Sequence, residues 1–296
     1  MKSIQKAMLI YNGNAGQKDI NRTIGVCIPI LSTKFEEILL LKTNKPKHAI
    51  ELCTRYGSEM DLVIVVGGDG TVHECINGLA PLSKRPAIGI IPAGTCNDFA
   101  RTLGYSLDIK EAALQIVEGE RVPVDTIQVN KNYFINFWGI GLVTETSSNI
   151  KNKEKELLGR VSYFLSAIRT INEVDSFRYT IEYEDGTVNG EGIMILITNG
   201  NYIGTNKLPF KNISYDDGSI NIFMVKEANM ALLKELLIND ASINDQYTNE
   251  IEHLSSQQFK ITTEKILKAD MDGEVYLETP CEFKVLKHHL IMVKPK

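Results

Sequence analysis

The sequence has no apolar run long enough to span a membrane, and it has no basic stretch interleaved with aromatic residues. Its 296 residues carry a formal net charge of −5, which argues against a broad electrostatic footprint for nucleic acid. The N-terminal segment also lacks the apolar core and the cleavage site of a signal peptide. We therefore expect a cytoplasmic protein with no nucleic-acid partner.

Cysteine is scarce, and its pattern argues against cysteine-based function. The five cysteines are odd in number, scattered and free of any C-x-x-C pair, so the sequence suggests neither a disulfide framework nor a zinc site. Internal repeats and low-complexity linkers are absent as well. A chain of this length with 43% hydrophobic residues can form one large domain or two moderate ones, and we favour two.

The first part of the chain alternates strand-like and helix-like segments. Short apolar runs such as "KAMLIYN", "DLVIVVGG" and "AIGIIPAG" predict buried strands, whereas "TVHECINGL" and "TCNDFARTLG" predict helices. We also predict a helix through "FEEILLLK". The alternation predicts a parallel sheet with helices on both faces, and ligands bind such sheets at the carboxyl ends of the strands.

The pattern changes near Asp125. Beyond that point most segments are short strands bounded by turn signals, which indicates an antiparallel β domain. One helix is predicted between Gly159 and Glu173, with an apolar stripe that we assign to the core.

A glycine-rich loop connects a strand to a helix in "VVGGDGTVHECINGL", Val65 to Leu79. Glycines let backbone N–H groups approach a ligand, and a helix N-terminus adds partial positive charge, so the loop suits a phosphate group. A plain tight turn, with Asp69 or Thr71 capping the helix, accounts for the same residues. We expect Asp69 to lie on an exposed loop rather than in the core.

A second connection, "IGIIPAGTCNDFARTLG" from Ile88 to Gly104, repeats this design. The side chains of Thr95, Asn97 and Asp98 are candidates to cap the helix that follows. Two phosphate-compatible loops at the ends of two strands of one sheet outline one nucleotide site.

The two loops together resemble the diacylglycerol kinase catalytic-domain superfamily, and the bacterial soluble lipid kinases in particular. The segments "VPVDTIQVN", "NGNYIG", "LPFKNISYDDGSINIF" and "DMDGE" extend the resemblance over nearly the whole chain. It implies an α/β + β fold, with a three-layer α/β ATP-binding domain similar to phosphofructokinase and NAD kinase over residues 1–125. A β-sandwich lipid-substrate domain would follow over residues 126–287, and a last strand, about 288–296, would return to the first domain.

The resemblance also implies ATP and Mg²⁺ as cofactors, with Asp69 placed to hold the ion. The residues that it assigns to nucleotide binding are Asn12, Gly16, Thr43, Gly67, Gly68, Asp69, Gly70, Thr71, Glu74, Gly94, Thr95 and Asn97.

An acidic turn in "ADMDGEVYL", Ala269 to Leu277, is the candidate for the chemistry. Asp-Gly is also a strong hairpin signal, and the residues alone favour a structural turn. The resemblance makes Asp272 the general base and Glu274 a catalytic residue that orients it or assists the metal. Asp270 would share the strand face of Asp272 if the segment is extended.

A second acidic turn, "SYDDG", resembles the structural metal site of the family, with Asp217 and the backbone oxygens of Ser214 and Ser219 as ligands. Hard oxygen ligands suit Mg²⁺. An Asp-Asp-Gly turn before a strand is an equally good interpretation of these residues.

The resemblance implies a kinase that phosphorylates diacylglycerol or a related lipid alcohol at the membrane surface, to which it would bind peripherally. An NAD kinase-type enzyme shares the "GGDGT" segment and is one alternative. A non-catalytic nucleotide-binding regulator of the same fold is the other. The sequence leaves the acceptor and the oligomeric state open, a homodimer included.

Overall fold

The computed structural model describes residues 5–12, 20–141, 144, 175–208, 210, 213–226 and 251–296. The chain divides into two compact units, Met1–Thr126 with His288–Lys296, and Ile127–Lys287. The helix predicted between Gly159 and Glu173 lies outside the described residues, as does Gly16.

The first unit is built on a parallel sheet. Its strands run in the order β2-β1-β3-β4, followed by the last residues of β18. The bounds are β1 (Lys6–Asn12), β2 (Glu37–Thr43), β3 (Leu62–Gly67), β4 (Ala87–Pro92) and β18 (Cys281–Lys294). Every residue of β3 and β4 is buried, because both faces of these central strands are covered.

Helices cover both faces of this sheet. Their bounds are α1 (Ile20–Leu31), α2 (His48–Tyr56), α3 (Asp69–Leu79), α4 (Asp98–Leu103) and α5 (Ile109–Glu118). The step from β1 to β2 runs opposite to the steps from β2 to β3 and from β3 to β4. Since such crossovers are right-handed, α1 lies on one face and α2 and α3 lie on the other. Accordingly, α1 packs against α5, and α2 packs against α3.

The helix predicted through "FEEILLLK" is wrong, because these residues form most of β2. The helix of this region is α1, which ends at Leu31. β2 is the edge strand, and only Thr43 of its residues is buried. Its half-exposed apolar residues therefore give no clean strand alternation, and parallel pairing with β1 decides the conformation.

The end of the chain is anchored in the first unit by two polar contacts, one buried and one partly buried. The Asp125 carboxylate accepts a 2.7 Å hydrogen bond from the backbone N–H of His288, and the Tyr105 hydroxyl donates a 2.6 Å bond to the carbonyl of Val293. Ile291 and Met292 pair in parallel with Ala87 and Ile88 of β4.

The second unit is a sandwich of antiparallel strands. One sheet has the order β14-β13-β10-β7-β16-β17, and the first part of β18 pairs with β15, which pairs with β8, which pairs with β9. The bounds are β7 (Phe137–Gly141), β8 (Phe177–Tyr183), β9 (Gly186–Gly192), β10 (Met194–Thr198), β13 (Ile220–Val225), β14 (Ile251–Ser256), β15 (Gln258–Thr263), β16 (Lys268–Met271) and β17 (Glu274–Glu278). The further strands are β5 (Glu120–Val129), which pairs with β6 (Asn132–Phe134), and β11 (Tyr202–Ile203), which forms a short hairpin with β12 (Asn206–Lys207).

The core of the second unit lies between its two sets of strands. The ring of Trp138 on β7 meets the ring of Phe283 on β18 edge to face, with 4.9 Å between the ring centroids. Phe283 also stacks on Phe259 of β15 at 4.6 Å. This packing of inner faces is that of a β-sandwich, so the predicted fold class, an α/β unit with a β-sandwich unit, is confirmed.

Candidate active site

The two predicted glycine loops of the first unit lie against each other. Gly67 at the end of β3 pairs with Pro92 at the end of β4, so both loops leave the same edge of the sheet. A Cβ added to Gly94 would lie 2.3 Å from the Cα of Gly68, and one added to Gly68 would lie 2.9 Å from the Cα of Gly94. The approach is so close that glycine is required at both positions.

Asp69 joins the second loop to the first. Its carboxylate accepts hydrogen bonds from the backbone N–H groups of Asn97, at 2.8 Å, and of Asp98, at 2.7 Å. Asn97 has a left-handed conformation, with φ of 55°. Its side chain accepts a bond from the N–H of Gly94 and donates one to the carbonyl of Gly94, both at 2.9 Å.

These contacts correct two expectations. Asp69 is not on an exposed loop, since it is the partly buried first residue of α3. The helix α4 is not capped by a side chain at its own N-cap residue, Asn97; the carboxylate at its N-terminus comes from Asp69. The aspartate is therefore a structural connection between the two loops, whatever ligand it also binds.

Two carboxylates lie close together at the N-terminus of α4. Burial and the neighbouring carboxylate of Asp98 raise the pKa of Asp69 to about 7, against the opposing effect of its two hydrogen bonds. Ligand atoms of Asp69, Cys96 and Asp98 lie within 4.8 Å of one another, and they form the one group of three or more such side chains in the described part of the chain. The carboxylates suit Mg²⁺, whereas the thiol does not.

The other residues of the two loops surround this connection. Thr71 packs over Gly67, where an added Cβ would lie 2.7 Å from the Thr71 hydroxyl oxygen. Gly70 and Thr71 are in the first turn of α3, and the N–H of Thr71 bonds the carbonyl of Gly68 at 3.0 Å. Thr95 is exposed.

Two further predicted nucleotide residues lie side by side at the same edge. Asn12 and Thr43 are paired at the ends of β1 and β2. The hydroxyl of Thr43 donates a 3.4 Å bond to the carbonyl of Tyr11, and Thr43 is buried. Since β1 lies next to β3, these residues flank the glycine loop of Gly67.

Glu74 has an unexpected position for a nucleotide ligand. Its Oε1 atom accepts a 2.7 Å bond from the N–H of Lys47, and its Oε2 atom accepts a 3.1 Å bond from the N–H of Ala49. Both oxygen atoms thus bind the N-terminus of α2. The sequence gives no signal for this contact, because Lys47 and Glu74 are 27 residues apart.

In the second unit, Asp272 and Gly273 form the two-residue turn between β16 and β17. Both have positive φ, 51° and 91°, as the type I′ hairpin turn requires. The Asp272 Oδ1 atom accepts hydrogen bonds from the N–H groups of Asn136 and Phe137, both at 3.1 Å. Asp272 is buried, at 6% exposure, so its carboxylate is held in one orientation at the start of β7.

The neighbouring acidic residues differ in position. Asp270 lies on β16, is buried at 2% exposure, and accepts a 2.8 Å bond from the N–H of Gly273, which stabilises the turn. Glu274, the first residue of β17, is half-buried opposite Met271. Sequence reasoning missed Asn136 and Phe137, because they contribute backbone N–H groups that leave no trace in residue type.

The "SYDDG" segment is a turn before β13. The Oδ1 atom of Asp217 accepts bonds from the N–H of Ser219 at 2.8 Å and from its hydroxyl at 3.0 Å. Gly218 has φ of +84°, and the Lys287 ammonium donates a 3.2 Å bond to the Asp217 carbonyl. The Ser214 hydroxyl bonds Asp216 rather than Asp217.

Two family models match consecutive parts of the chain. The model described as "Diacylglycerol kinase catalytic domain" matches residues 6–129. The chain belongs to the diacylglycerol kinase catalytic-domain family. Residues 141–294 match the model described as "YegS C-terminal NAD kinase beta sandwich-like domain".

Relatives of this diacylglycerol kinase-like chain carry related names. A "putative lipid kinase" of Staphylococcus aureus (strain Newman) is 33% identical over 285 residues, which are 94% of this chain and 93% of the relative. A crystal structure of "a putative diacylglycerol kinase from Bacillus anthracis str. Sterne" is 39% identical with a TM-score of 0.91, over 99% of this chain and 98% of that one. A second diacylglycerol kinase structure from the same organism is 35% identical, with a TM-score of 0.83 and the same coverage.

None of the helices in the described ranges has the length and apolar character needed to cross a membrane.

Proposed function

We propose that this protein is an ATP- and Mg²⁺-dependent kinase that transfers the γ-phosphoryl group of ATP to the hydroxyl of diacylglycerol or a related lipid alcohol. The observation that carries the proposal is the pair of glycine loops joined by Asp69, at the carboxyl ends of β3 and β4, in a chain of this family. We further propose that it acts in the cytoplasm, at the membrane surface that presents its lipid.

The nucleotide binds at this edge of the first sheet in our proposal. Glycines at positions 68 and 94 let the two loops pack closely at this edge, and the N-terminus of α3 adds partial positive charge. Asn12 and Thr43 provide polar groups at the neighbouring strand ends.

The carboxylates of Asp69 and Asp98 are the groups that would hold Mg²⁺ here, since a cation offsets both the burial and the repulsion from Asp98 that raise the pKa of Asp69. Bound Mg²⁺ would supply charge neutralisation to the phosphates during transfer.

Asp272 is the proposed general base. Its carboxylate takes the proton of the lipid hydroxyl, whose oxygen forms the new bond to the γ-phosphorus while the bond from that phosphorus to the leaving oxygen of ADP breaks. Two backbone N–H groups hold the carboxylate in place, which is the kind of preorganisation that catalysis by positioning requires. Glu274, two residues further on, is the proposed assisting carboxylate.

Purified protein incubated with labelled ATP, Mg²⁺ and mixed micelles of candidate lipid alcohols tests the proposal. We expect label in diacylglycerol or a related lipid, and no label when Mg²⁺ is removed with EDTA. A matched reaction with NAD in place of lipid tests a second candidate, which the description of the second family model favours. Label in NADP alone would replace our proposal with an NAD kinase. Tight ATP binding without transfer to any acceptor would identify a regulator.

A further inference from the structure

Glu74 lies on α3 but caps a different helix. α2 has no side-chain cap of its own at Lys47, its N-cap residue. The two oxygen atoms of Glu74 instead accept the N–H groups of Lys47 and Ala49, at 2.7 and 3.1 Å. Such bonds satisfy donors that a helix N-terminus leaves without partners, and the negative charge is favourable there.

The residue that Glu74 holds most tightly has a strained backbone. Lys47 has φ of 65°, in the left-handed region that residues with a Cβ atom seldom adopt. Strained residues persist where surrounding contacts hold them, and the 2.7 Å bond to Glu74 is one such contact. Releasing it would let the segment Thr43–Lys47 relax towards other conformations.

The segment Thr43–Lys47 leads from the nucleotide edge of the sheet to α2. It begins at Thr43, which pairs with Asn12, and ends at the residue held by Glu74. The sheet and Glu74 hold its two ends. Between them, the N–H of Asn44 bonds the Nδ1 atom of His48 at 3.3 Å, and the Lys45 ammonium bonds Glu51 at 2.7 Å.

α2 and α3 pack closely against each other at Gly78. A Cβ added to Gly78 of α3 would lie 2.7 Å from the carbonyl oxygen of Ile50 and 2.6 Å from the Cβ of Cys53, both on α2. Gly78 is one helical turn beyond Glu74, so this close packing fixes the position of Glu74 relative to α2.

We propose that Glu74 is a positioning residue for the nucleotide, which acts by fixing the segment Thr43–Lys47 rather than by contacting ATP. This inference rests on the proposed ATP site. Both carboxylate oxygens are used at α2, and a carboxylate placed against the phosphates would repel them. Glu74 thus connects the helix that starts at the phosphate loop with the segment that follows β2.

The test compares two variants that each remove a helix cap in the first unit. Glu74→Ala removes the cap of α2, whereas Asp108→Ala removes that of α5, where Asp108 accepts a 2.9 Å bond from the N–H of Glu111. ATP dissociation constants are measured by calorimetry without lipid, and exchange of the Lys47 and Ala49 amides is followed by NMR. Glu74→Gln retains one acceptor oxygen, and serves as the milder variant if the alanine variant does not fold.

We expect Glu74→Ala to bind ATP about 3- to 30-fold more weakly, the range that loss of a helix cap produces in an equilibrium constant, with faster exchange at both amides. Glu74→Gln should lie in between, and Asp108→Ala should bind ATP like the wild type. Equal ATP affinity in the wild type and Glu74→Ala would overturn the inference. Weaker ATP binding with unchanged amide exchange would also overturn it, because Glu74 would then contact ATP directly. A wild-type protein that binds no ATP overturns the proposed function itself, and the exchange data still report on the cap.

Discussion

The carboxylate of Asp69 accepts a 2.7 Å hydrogen bond from the backbone N–H of Asp98, the first residue of α4. Asp69 is itself the first residue of α3, so one side chain ties the starts of two helices together. The same contact brings two carboxylates close to each other at a helix N-terminus. The geometry of both glycine loops therefore depends on the hydrogen bonds that Asp69 accepts.

We expect the melting temperature of the metal-free wild type to fall between about pH 4 and pH 8 relative to that of Asp69→Asn. The pKa of Asp69 is raised from 3.8 to about 7, so the folded state holds this proton more tightly than the unfolded state. The stabilisation is present at low pH and is lost as the pH rises through 7. Asparagine stays neutral over the whole range. Thermal melting in EDTA at several pH values measures the difference.

Added Mg²⁺ is the control for this pH effect. A bound cation favours the ionised carboxylates, so we expect the difference between the two profiles to shrink when Mg²⁺ is present. Parallel profiles in EDTA would show that Asp69 does not titrate in this range.

Gly94→Ala should destabilise the protein by about 1–3 kcal/mol and abolish ATP binding. The new Cβ would lie 2.3 Å from the Cα of Gly68, and backbone atoms cannot move aside as a flexible side chain can. Gly25→Ala is the matched control, because Gly25 is exposed inside α1 with no atom within 4 Å of the added Cβ. It should raise stability by about 0.5–1 kcal/mol and leave ATP binding unchanged. Normal ATP affinity in Gly94→Ala would show that the packed glycine loops do not form the ATP site.

The central strands were predictable from sequence, and the edge strand was not. β1, β3 and β4 are short apolar runs whose residues are mostly buried, so their sequences alone indicate buried strands. β2 pairs on one side only and leaves Leu40 at 44% exposure, so its conformation depends on a neighbour that the local sequence does not encode.

The candidate site also contains features that were predictable from the sequence and features that were not. The glycines of both loops were predicted because close backbone approach excludes other residues, and residue type records that requirement. The contact from Glu74 to α2 and the N–H groups of Asn136 and Phe137 at Asp272 were not predicted. They depend on tertiary packing and on backbone atoms that every residue has.

Asp217→Ala should lower the melting temperature by about 2–4 °C, as expected for the loss of its two bonds to Ser219 and of a proposed metal ligand. If the turn holds Mg²⁺, the ion should raise the melting temperature of the wild type by more than that of this variant, which keeps only the proposed site at Asp69 and Asp98. Asp216→Ala, at the exposed neighbouring position, should keep the response to Mg²⁺. An equal response to Mg²⁺ in the wild type and in Asp217→Ala would leave a plain Asp-Asp-Gly turn held by Lys287.

Asp272→Asn tests the residue on which the proposed chemistry depends. Asparagine tolerates the positive φ of 51° at this position, and its side-chain oxygen can still accept the N–H groups of Asn136 and Phe137. The turn should therefore form, and the melting temperature and ATP affinity should stay close to those of the wild type. The amide cannot take a proton from the lipid hydroxyl, so turnover should fall roughly 10²- to 10⁴-fold.

The same substitution distinguishes a base from a turn residue, because Asn-Gly suits a type I′ hairpin as well as Asp-Gly does. If Asp272 served only the hairpin, its replacement by asparagine would leave lipid phosphorylation nearly unchanged. Glu278→Gln, exposed at the other end of β17, is the matched loss of one carboxylate and should not affect turnover. Turnover in Asp272→Asn within a few-fold of that in Glu278→Gln would remove Asp272 from the catalytic set, because the folded turn and the bound nucleotide would then be sufficient for the observed rate.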